Sequence, residues 1–337
     1  MSLDKVKTLD DLAFFVDTRK QDLIKLEPDK HYHVFQIKKP GSEEKRTIES
    51  PHGKLKEILD RLADGFQSIY YEYKTDAAYG FVRSYPHHAD KRNILTNAKC
   101  HVGCRSMLNL DLDSFFYQVD TPKVKSILNS YTYFSFNRQT EELLSKLLTY
   151  HGRLPMGSPT SPVLSNFATI TLDHELLYWT RQANIVYTRY VDDLTFSSDK
   201  PITNDHYGKI LSILHSHQFS VDPQKTRWYD ETMQKEVTGL IVGEKITIPE
   251  DYFTEVEMNI RKLENVFEYA QRFPDWQISE WLEKLKQTIG GQIEFIGRVY
   301  GKKHSIYRDF SSKLKKAIRN TDIEESISWR YIGYGDF

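Results

Sequence analysis

The 337-residue sequence holds only two cysteines, Cys100 and Cys104. That excludes a disulfide framework. Their CxxxC spacing beside His87, His88 and His101 invites a zinc reading, but structural zinc pairs favour tighter CxxC turns and a second pair is missing, so buried thiols are expected. No run of eighteen apolar residues occurs, which argues against a membrane-spanning helix. The opening MSLDKVKTLDDLAFF carries acids where a secretory leader needs a basic and then an apolar segment, so the expected location is the cytoplasm, with no membrane partner. Repeats and low-complexity linkers are absent too. Net charge is nearly absent: 46 Lys and Arg stand against 47 Asp and Glu, and the total does not announce a nucleic-acid binder.

What is present supports a globular chain. A hydrophobic content of 39% suffices for a sizeable core, in one large domain or in two to three subdomains around a cleft. The charge is unevenly spread. Between Trp281 and Asn320 ten Lys and Arg face three acids, a basic helical face that either holds a phosphate backbone or is simply solvated.

Residues 1–30 read as helical, and His31 to Glu49 alternates, turns at Pro40-Gly41-Ser42 and alternates again as a β-hairpin. Leu55 to Tyr71 returns to helical spacing, and AYGFVRSYPHHADKR is a loop. Residues 105–112 form an apolar strand ending in acids; Thr121 is the expected cap of a helix with Pro122 in its first turn. A Gly/Pro-rich loop, LPMGSPTSP at 154–162, leads into a helix through roughly Arg181. Strands flank Asp192 and Asp193, a helix covers 204–217, short strands lie near 226–229, 236–242 and 245–248, and helices follow from Asp251. This order suits an α+β enzyme with a helical C-terminal appendage.

The stretch YTRYVDDLTF at 187–196 sets two carboxylates side by side between strands. Adjacent anions repel, and one pKa rises unless cations share the site. Asp111, Asp192 and Asp193 are hard oxygen ligands that suit Mg²⁺, and three carboxylates from two strands can converge on two ions. The alternative is a polar hairpin turn.

NLDLDSFF at 109–116, LPMGSPTSPVLSN at 154–166 and YVDD at 190–193, in that order, resemble the palm motifs of reverse transcriptases. The resemblance implies a right-hand polymerase fold: an N-terminal helical segment at 1–30, fingers at 31–104 with further finger and palm elements to about 180, palm at 105–249, and thumb with basic helices at 250–337. It implies that Asp111, Asp192 and Asp193 are catalytic and bind two Mg²⁺, with the Leu112 carbonyl as a further ligand. Phe116 falls at the steric gate that selects dNTPs, while Phe115 reads as core. Gly157, Ser158 and Pro159 match the loop against the incoming nucleotide. The sequence departs from the family at Met156, where Gln is usual, and at Ser158, where Ala is usual. Lys225 in PQKTRW matches a lysine near the triphosphate, a candidate proton donor, unless it is a plain surface lysine. Arg46 in KRTIESP is the triphosphate candidate of the fingers, and Arg83 in GFVRS a nucleic-acid contact.

NAKCH at 97–101 and VTG at 237–239 resemble the NAxxH and VTG elements of bacterial retron reverse transcriptases, with GQIEFIGRVYG at 291–301 similar to their thumb segment. The likeness runs from about Leu12 to Tyr300, and the chain is expected to lack the maturase and endonuclease parts of intron-encoded relatives. It implies nucleic-acid contacts from Asn97, His101, Val237, Thr238 and Gly239, and from Lys302, Lys303, Lys313, Lys315 and Lys316. Asn97 as a turn former and His101 as a satisfied core histidine are the alternatives. Trp276, Trp281, Tyr300 and Tyr307 stack on bases or pack the thumb. The implied partners are a structured noncoding RNA serving as primer and template, its single-stranded DNA product, dNTPs and a defence effector protein. Synthesis would start from the 2′-OH of a guanosine, giving a branched RNA–DNA. The rivals are a non-catalytic RNA/DNA-binding scaffold and a reverse transcriptase of another bacterial class.

Overall fold

The computed structural model describes residues 1–38, 43–83, 90–265 and 275–319. The chain forms two compact units, Met1–Met233 and Gln234–Phe337. The first begins with α1 (Leu9–Phe15) and α2 (Lys20–Lys25). A capping box fixes the start of α1: Asp11 N–H donates to the Thr8 hydroxyl while the Asp11 carboxylate accepts from Thr8 N–H. The hairpin follows as β1 (Tyr32–Lys38) and β2 (Lys45–Pro51), antiparallel from Tyr32 opposite Pro51 to Lys38 opposite Lys45. The turn expected at Pro40-Gly41-Ser42 lies outside the described residues, as do His87 and His88. Helix α3 (Gly53–Tyr73) buries Leu55, Ile58, Leu59, Leu62 and Phe66 along one stripe, as its spacing predicts.

A four-stranded antiparallel sheet organises this unit. Its strands are β3 (Ser106–Asp111), β4 (Val186–Tyr190), β5 (Asp193–Ser198) and β6 (Arg227–Tyr229), in the order β4-β5-β3-β6. Helices α4 (Ile94–Lys99), α5 (Thr121–Leu128), α6 (Arg138–Leu148), α7 (Ser161–Ala168), α8 (Ile170–Gln182) and α9 (Asn204–Ser216) complete it. One apolar core runs through α3, the sheet and most of these helices, with Phe66, Leu108, Leu110, Leu164, Leu176, Leu194 and Phe196 in its interior.

Two local expectations are corrected. Helix α5 is capped by Asp120, whose carboxylate accepts from Lys123 N–H, so Thr121 is already helical. The helix expected to reach Arg181 unbroken is two helices, α7 and α8. They part at Thr169, whose hydroxyl donates to the carbonyls of Ser165 and Asn166 and competes with the helical ladder.

The second unit holds a small sheet of β7 (Lys235–Val237), β8 (Leu240–Val242) and β9 (Ile246–Thr247), then α10 (Glu250–Glu264), α11 (Asp275–Tyr300) and α12 (Ser305–Arg319). The single strand expected over 236–242 is a hairpin. Thr238 and Gly239 form its two-residue loop, with φ of 49° and 80°, and positive φ at both central positions is the signature of a type I′ turn. Val256, Ile260, Leu263, Ile289, Ile293, Ile296, Phe310 and Leu314 are buried in this unit. Among the described residues no helix is long and apolar enough to cross a membrane.

Candidate active site

The strand register brings the three acids together. Asp111, the last residue of β3, stands opposite Asp193, the first of β5, and Asp193 also pairs with Tyr190 across the β4–β5 hairpin. Cross-strand partners share a face, so Asp111, Asp193 and Tyr190 lie side by side. Val191 and Asp192 are the two turn residues between them. The carbonyl of Asp192 accepts from Leu112 N–H at 3.0 Å, tying the turn to the end of β3.

This clustering costs electrostatic energy. The Asp193 carboxyl is pushed up to about 7, first by lost hydration and then by the charges of Asp192 and Asp111. Asp192 is also raised, by desolvation and then by Asp111, while Lys225 and Arg46 pull it back. Lys225 Nζ donates to Asp111 Oδ1 at 2.6 Å and lies 3.9 Å from Asp222 Oδ2. Arg227, opposite Asn109 on β6, favours ionised Asp193. Among the described residues no group of three or more His, Cys, Asp or Glu is closed into a metal cage. The donor set nevertheless fits hard divalent cations: the three carboxylates supply oxygen ligands, and both raised carboxyls owe part of their shift to repulsion from a neighbouring acid, which a bound cation would relieve.

Phe116 projects from the short 3-10 turn Phe115–Gln118 that follows β3. Ser114, at φ 46°, reverses the chain there. Phe115 then enters the core at 3% exposure while Phe116 stays half-buried, 6.1 Å from the Phe81 ring. Gly157 sits at φ 130°, and a Cβ there would come within 2.9 Å of the Glu49 carbonyl oxygen. The loop backbone therefore packs closely against β2 at this glycine. Met156 O accepts from Glu49 N–H at 2.7 Å, and Arg153 grips both Glu49 carboxylate oxygens at 2.7 and 2.8 Å, so the loop is tied to the strand carrying Arg46. Ser158 turns inward, 3.0 Å from the Thr160 hydroxyl, whereas Pro159 is half-buried.

The remaining residues singled out in the sequence differ in exposure and partners. His101 is 1% exposed; its Nδ1 lies 2.7 Å from Ser197 Oγ and its Nε2 2.7 Å from Thr188 Oγ1, so it braces β4 and β5 from within. Asn97 is also 1% exposed, with no partner for either amide atom among the described residues. Cys100 and Cys104 are half-buried rather than buried, and Cys100 Sγ lies 3.0 Å from Tyr79 Oη. Arg83 is held by Asp64 at 2.6 Å. In the second unit Val237 is buried, leaving the Thr238-Gly239 turn as the part of VTG that shapes backbone. Lys302 is paired with Glu294, and Lys313 with Glu257 and Asp309; Lys303, Lys315 and Lys316 are exposed. Tyr300 accepts from Ile248 N–H, and the Tyr307 ring fills the space a Gly297 side chain would need, so both pack the unit. The side chain of Trp276 lies outside the described residues.

Sequence reasoning missed Arg189 and Asp173, both 0% exposed, which form a bidentate pair at 2.9 and 2.8 Å directly behind the hairpin. A signal was there: Arg189 is a charge inside an otherwise strand-like run, and Asp173 a charge on the buried side of α8.

The reverse transcriptase (RNA-dependent DNA polymerase) family matches residues 37–242. The retron Ec86 reverse transcriptase of Escherichia coli is 29% identical over 301 residues, spanning 86% of this chain and 82% of that protein. The retron Mx162 reverse transcriptase of Myxococcus xanthus is 31% identical over 247 residues, 63% of this chain and 47% of that one. A telomerase from Candida albicans, solved with a fragment of telomeric RNA, aligns at TM-score 0.48 and 12% identity over 88% of this chain and 64% of the other. The family match spans the acids, Lys225 and the loop at Gly157, and the α+β chain with its helical C-terminal unit has the right-hand polymerase fold. Enzymes of this family copy RNA templates into DNA with divalent metal ions. The chain belongs to the reverse transcriptase family, the RNA-directed DNA polymerases, and within it is similar to the retron enzymes of bacteria.

Proposed function

We propose that this polymerase is a retron-type enzyme that reverse transcribes part of a cognate structured noncoding RNA, priming from an RNA 2′-OH to give a branched RNA–DNA, and that it serves antiphage defence with an effector protein. The observation that carries the catalytic part is the cross-strand carboxylate cluster of Asp111, Asp192 and Asp193 beside Lys225. The similarity to retron reverse transcriptases supports the choice of RNA.

In this reading Asp111, Asp192, Asp193 and the Leu112 carbonyl hold two Mg²⁺. When bound, the ions activate the attacking hydroxyl and stabilise the charge on the leaving pyrophosphate. Lys225 delivers a proton toward the pyrophosphate oxygen. Arg46 and the Gly157–Pro159 loop seat the triphosphate, and the Phe116 ring crowds a 2′-OH. Residues 31–104 act as fingers, 105–249 as palm and 250–337 as thumb, where the VTG turn and the exposed Lys303, Lys315 and Lys316 contact RNA through its phosphates and shape.

The test is to purify the protein from its native locus, with and without Asp192→Ala, and treat the co-purifying nucleic acid with nuclease and debranching enzyme. Single-stranded DNA joined 2′–5′ to RNA, present only with the intact acid, is the expected result. RNA alone in both preparations would make the protein a scaffold and reject the proposal.

A further inference from the structure

Val191 stands at the first position of the two-residue turn that carries Asp192, with φ 63°. A β-branched residue is a conformational outlier there, since its forked Cβ crowds the backbone in the left-handed region. Something must hold it. Arg189, two residues earlier and 0% exposed, spends its guanidinium on that task. Its Nε and Nη2 donate to the two oxygens of Asp173, which fixes the plane of the fork. The remaining arm, Nη1, donates to the Val191 carbonyl at 3.0 Å and to Asn166 Oδ1 at 3.1 Å. The far side of the turn is closed as well. Asn166 Nδ2 donates to the Gly80 carbonyl at 3.0 Å, and a Cβ on Gly80 would stand 2.6 Å from a Val191 methyl and 2.7 Å from its nitrogen. Backbone bonds from Tyr79 N–H to Arg189 O and from Arg189 N–H to Ala77 O fasten that segment along β4.

Asp173 is itself completed by Tyr187 and Thr75, whose hydroxyls donate to it at 2.9 Å each. The pair is thus fully satisfied, and one arm of the guanidinium is committed to the turn. A buried ion pair is weak evidence for stability but can fix one conformation. We propose that Arg189 is the positioning residue of the YVDD turn: it pins Val191 in the left-handed conformation that sets Asp192 against Asp111 and Asp193. The inference rests on the reading of Asp192 as a metal-binding catalytic residue.

The test compares Arg189→Lys, Asn166→Ala and Arg189→Lys/Val191→Gly with the parent protein. Two readouts are used: Mn²⁺ affinity, from the electron paramagnetic resonance signal of the free ion, and kcat and KM for primer extension on an RNA template. A lysine can still meet Asp173 but cannot reach the Val191 carbonyl with a second arm. Arg189→Lys should fold, bind Mn²⁺ about tenfold more weakly, as for one lost charge-assisted hydrogen bond, and lose kcat with KM for dNTP unchanged. Glycine at 191 accepts the positive φ without help, so the double variant should regain Mn²⁺ affinity and kcat. A purely structural Arg189 would lower the melting temperature without that rescue, and folded Arg189→Lys with unaltered Mn²⁺ affinity and kcat overturns the proposal. If Arg189→Lys does not fold, Asn166→Ala decides, because it removes a neighbour of the same arm and leaves the Asp173 pair intact: weaker Mn²⁺ binding supports positioning, unchanged binding rejects it. Loss of extension in the parent protein itself would count against the polymerase reading, while the Mn²⁺ comparison still judges the turn.

Discussion

Lys225 Nζ lies 2.6 Å from Asp111 Oδ1, so the cation of the β6 approach sits directly on the first acid of the cluster. The ammonium is held charged, its pKa raised by the hydrogen bond and charge of Asp111 against the opposing effect of desolvation. A charged lysine at that point offsets the carboxylates, and under the proposed function it is the proton donor to the leaving pyrophosphate. Lys225→Ala is expected to lower kcat about a hundredfold, the lower end of general acid catalysis, with little change in KM for dNTP. Steady-state primer extension measures both, and an unchanged kcat would leave Lys225 a surface cation.

His101 makes stability depend on pH. Burial lowers its pKa from 6.5 to about 4, so the unfolded chain takes up a proton before the folded one. The contribution is therefore complete above about 6.5 and shrinks as pH falls toward 4, by about 3 kcal/mol in all. Urea unfolding at pH 7.5, 5.5 and 4.5 should show a steeper loss in the parent than in His101→Gln, which has no ring to protonate. Parallel curves for the two proteins would refute this. His101→Gln should also be less stable at pH 7.5, because Ser197 and Thr188 lose a shared partner.

Gly157 and Gly152 both have positive φ, 130° and 80°, but only the first faces a wall. A Cβ at 157 meets the Glu49 carbonyl at 2.9 Å and an Ile48 methyl at 3.0 Å, whereas one at 152 meets nothing within 4 Å. Gly152→Ala should cost about 1 kcal/mol from backbone strain alone, and Gly157→Ala roughly 3 kcal/mol because β2 must shift as well. Chemical denaturation of the two variants tests the difference. Gly157→Ala should in addition raise KM for dNTP, since the displaced strand carries Arg46; equal costs would mean β2 yields freely.

The acids were legible because local signals met there: an apolar run ending in Asp111, a charged pair between strands, and a loop rich in Gly and Pro. Register within the hairpin follows from the two-residue turn at Val191-Asp192, which sets Asp193 opposite Tyr190; its pairing with Asp111 depends on how β3 docks against β5, which the turn does not encode. What stayed hidden was partnership. Arg189 lies in a strand where Tyr187, Thr188 and Arg189 are all buried, so alternation does not single it out, and its bond to Asp173 crosses from β4 to α8, which nothing local encodes. The same holds for Asn97 and His101, whose motif suggested an RNA contact while tertiary packing turned both inward. The break at Thr169 was missed because helical spacing continues across it; a hydroxyl bonding back to Ser165 and Asn166 leaves no mark on apolar periodicity.

Phe115 and Phe116 are neighbours with opposite fates, and that contrast allows the sugar gate to be tested against simple packing. Phe115 is 3% exposed in the core, whereas Phe116 is half-buried. Phe115→Ala should leave a cavity and cost roughly 3–5 kcal/mol, visible as a lower unfolding midpoint, with the choice between dNTP and rNTP unaltered in the folded fraction. Phe116→Ala should cost less stability and instead admit the 2′-OH, lowering the kcat/KM preference for dNTP over rNTP roughly ten- to hundredfold, the range that a missing steric contact supplies. Extension assays with each nucleotide set measure the preference. Were Phe116→Ala to retain full discrimination, selection against ribonucleotides would have to come from elsewhere in the site, and the half-buried ring would be packing for Phe81 and Phe115, whose rings lie 6.1 and 5.8 Å away.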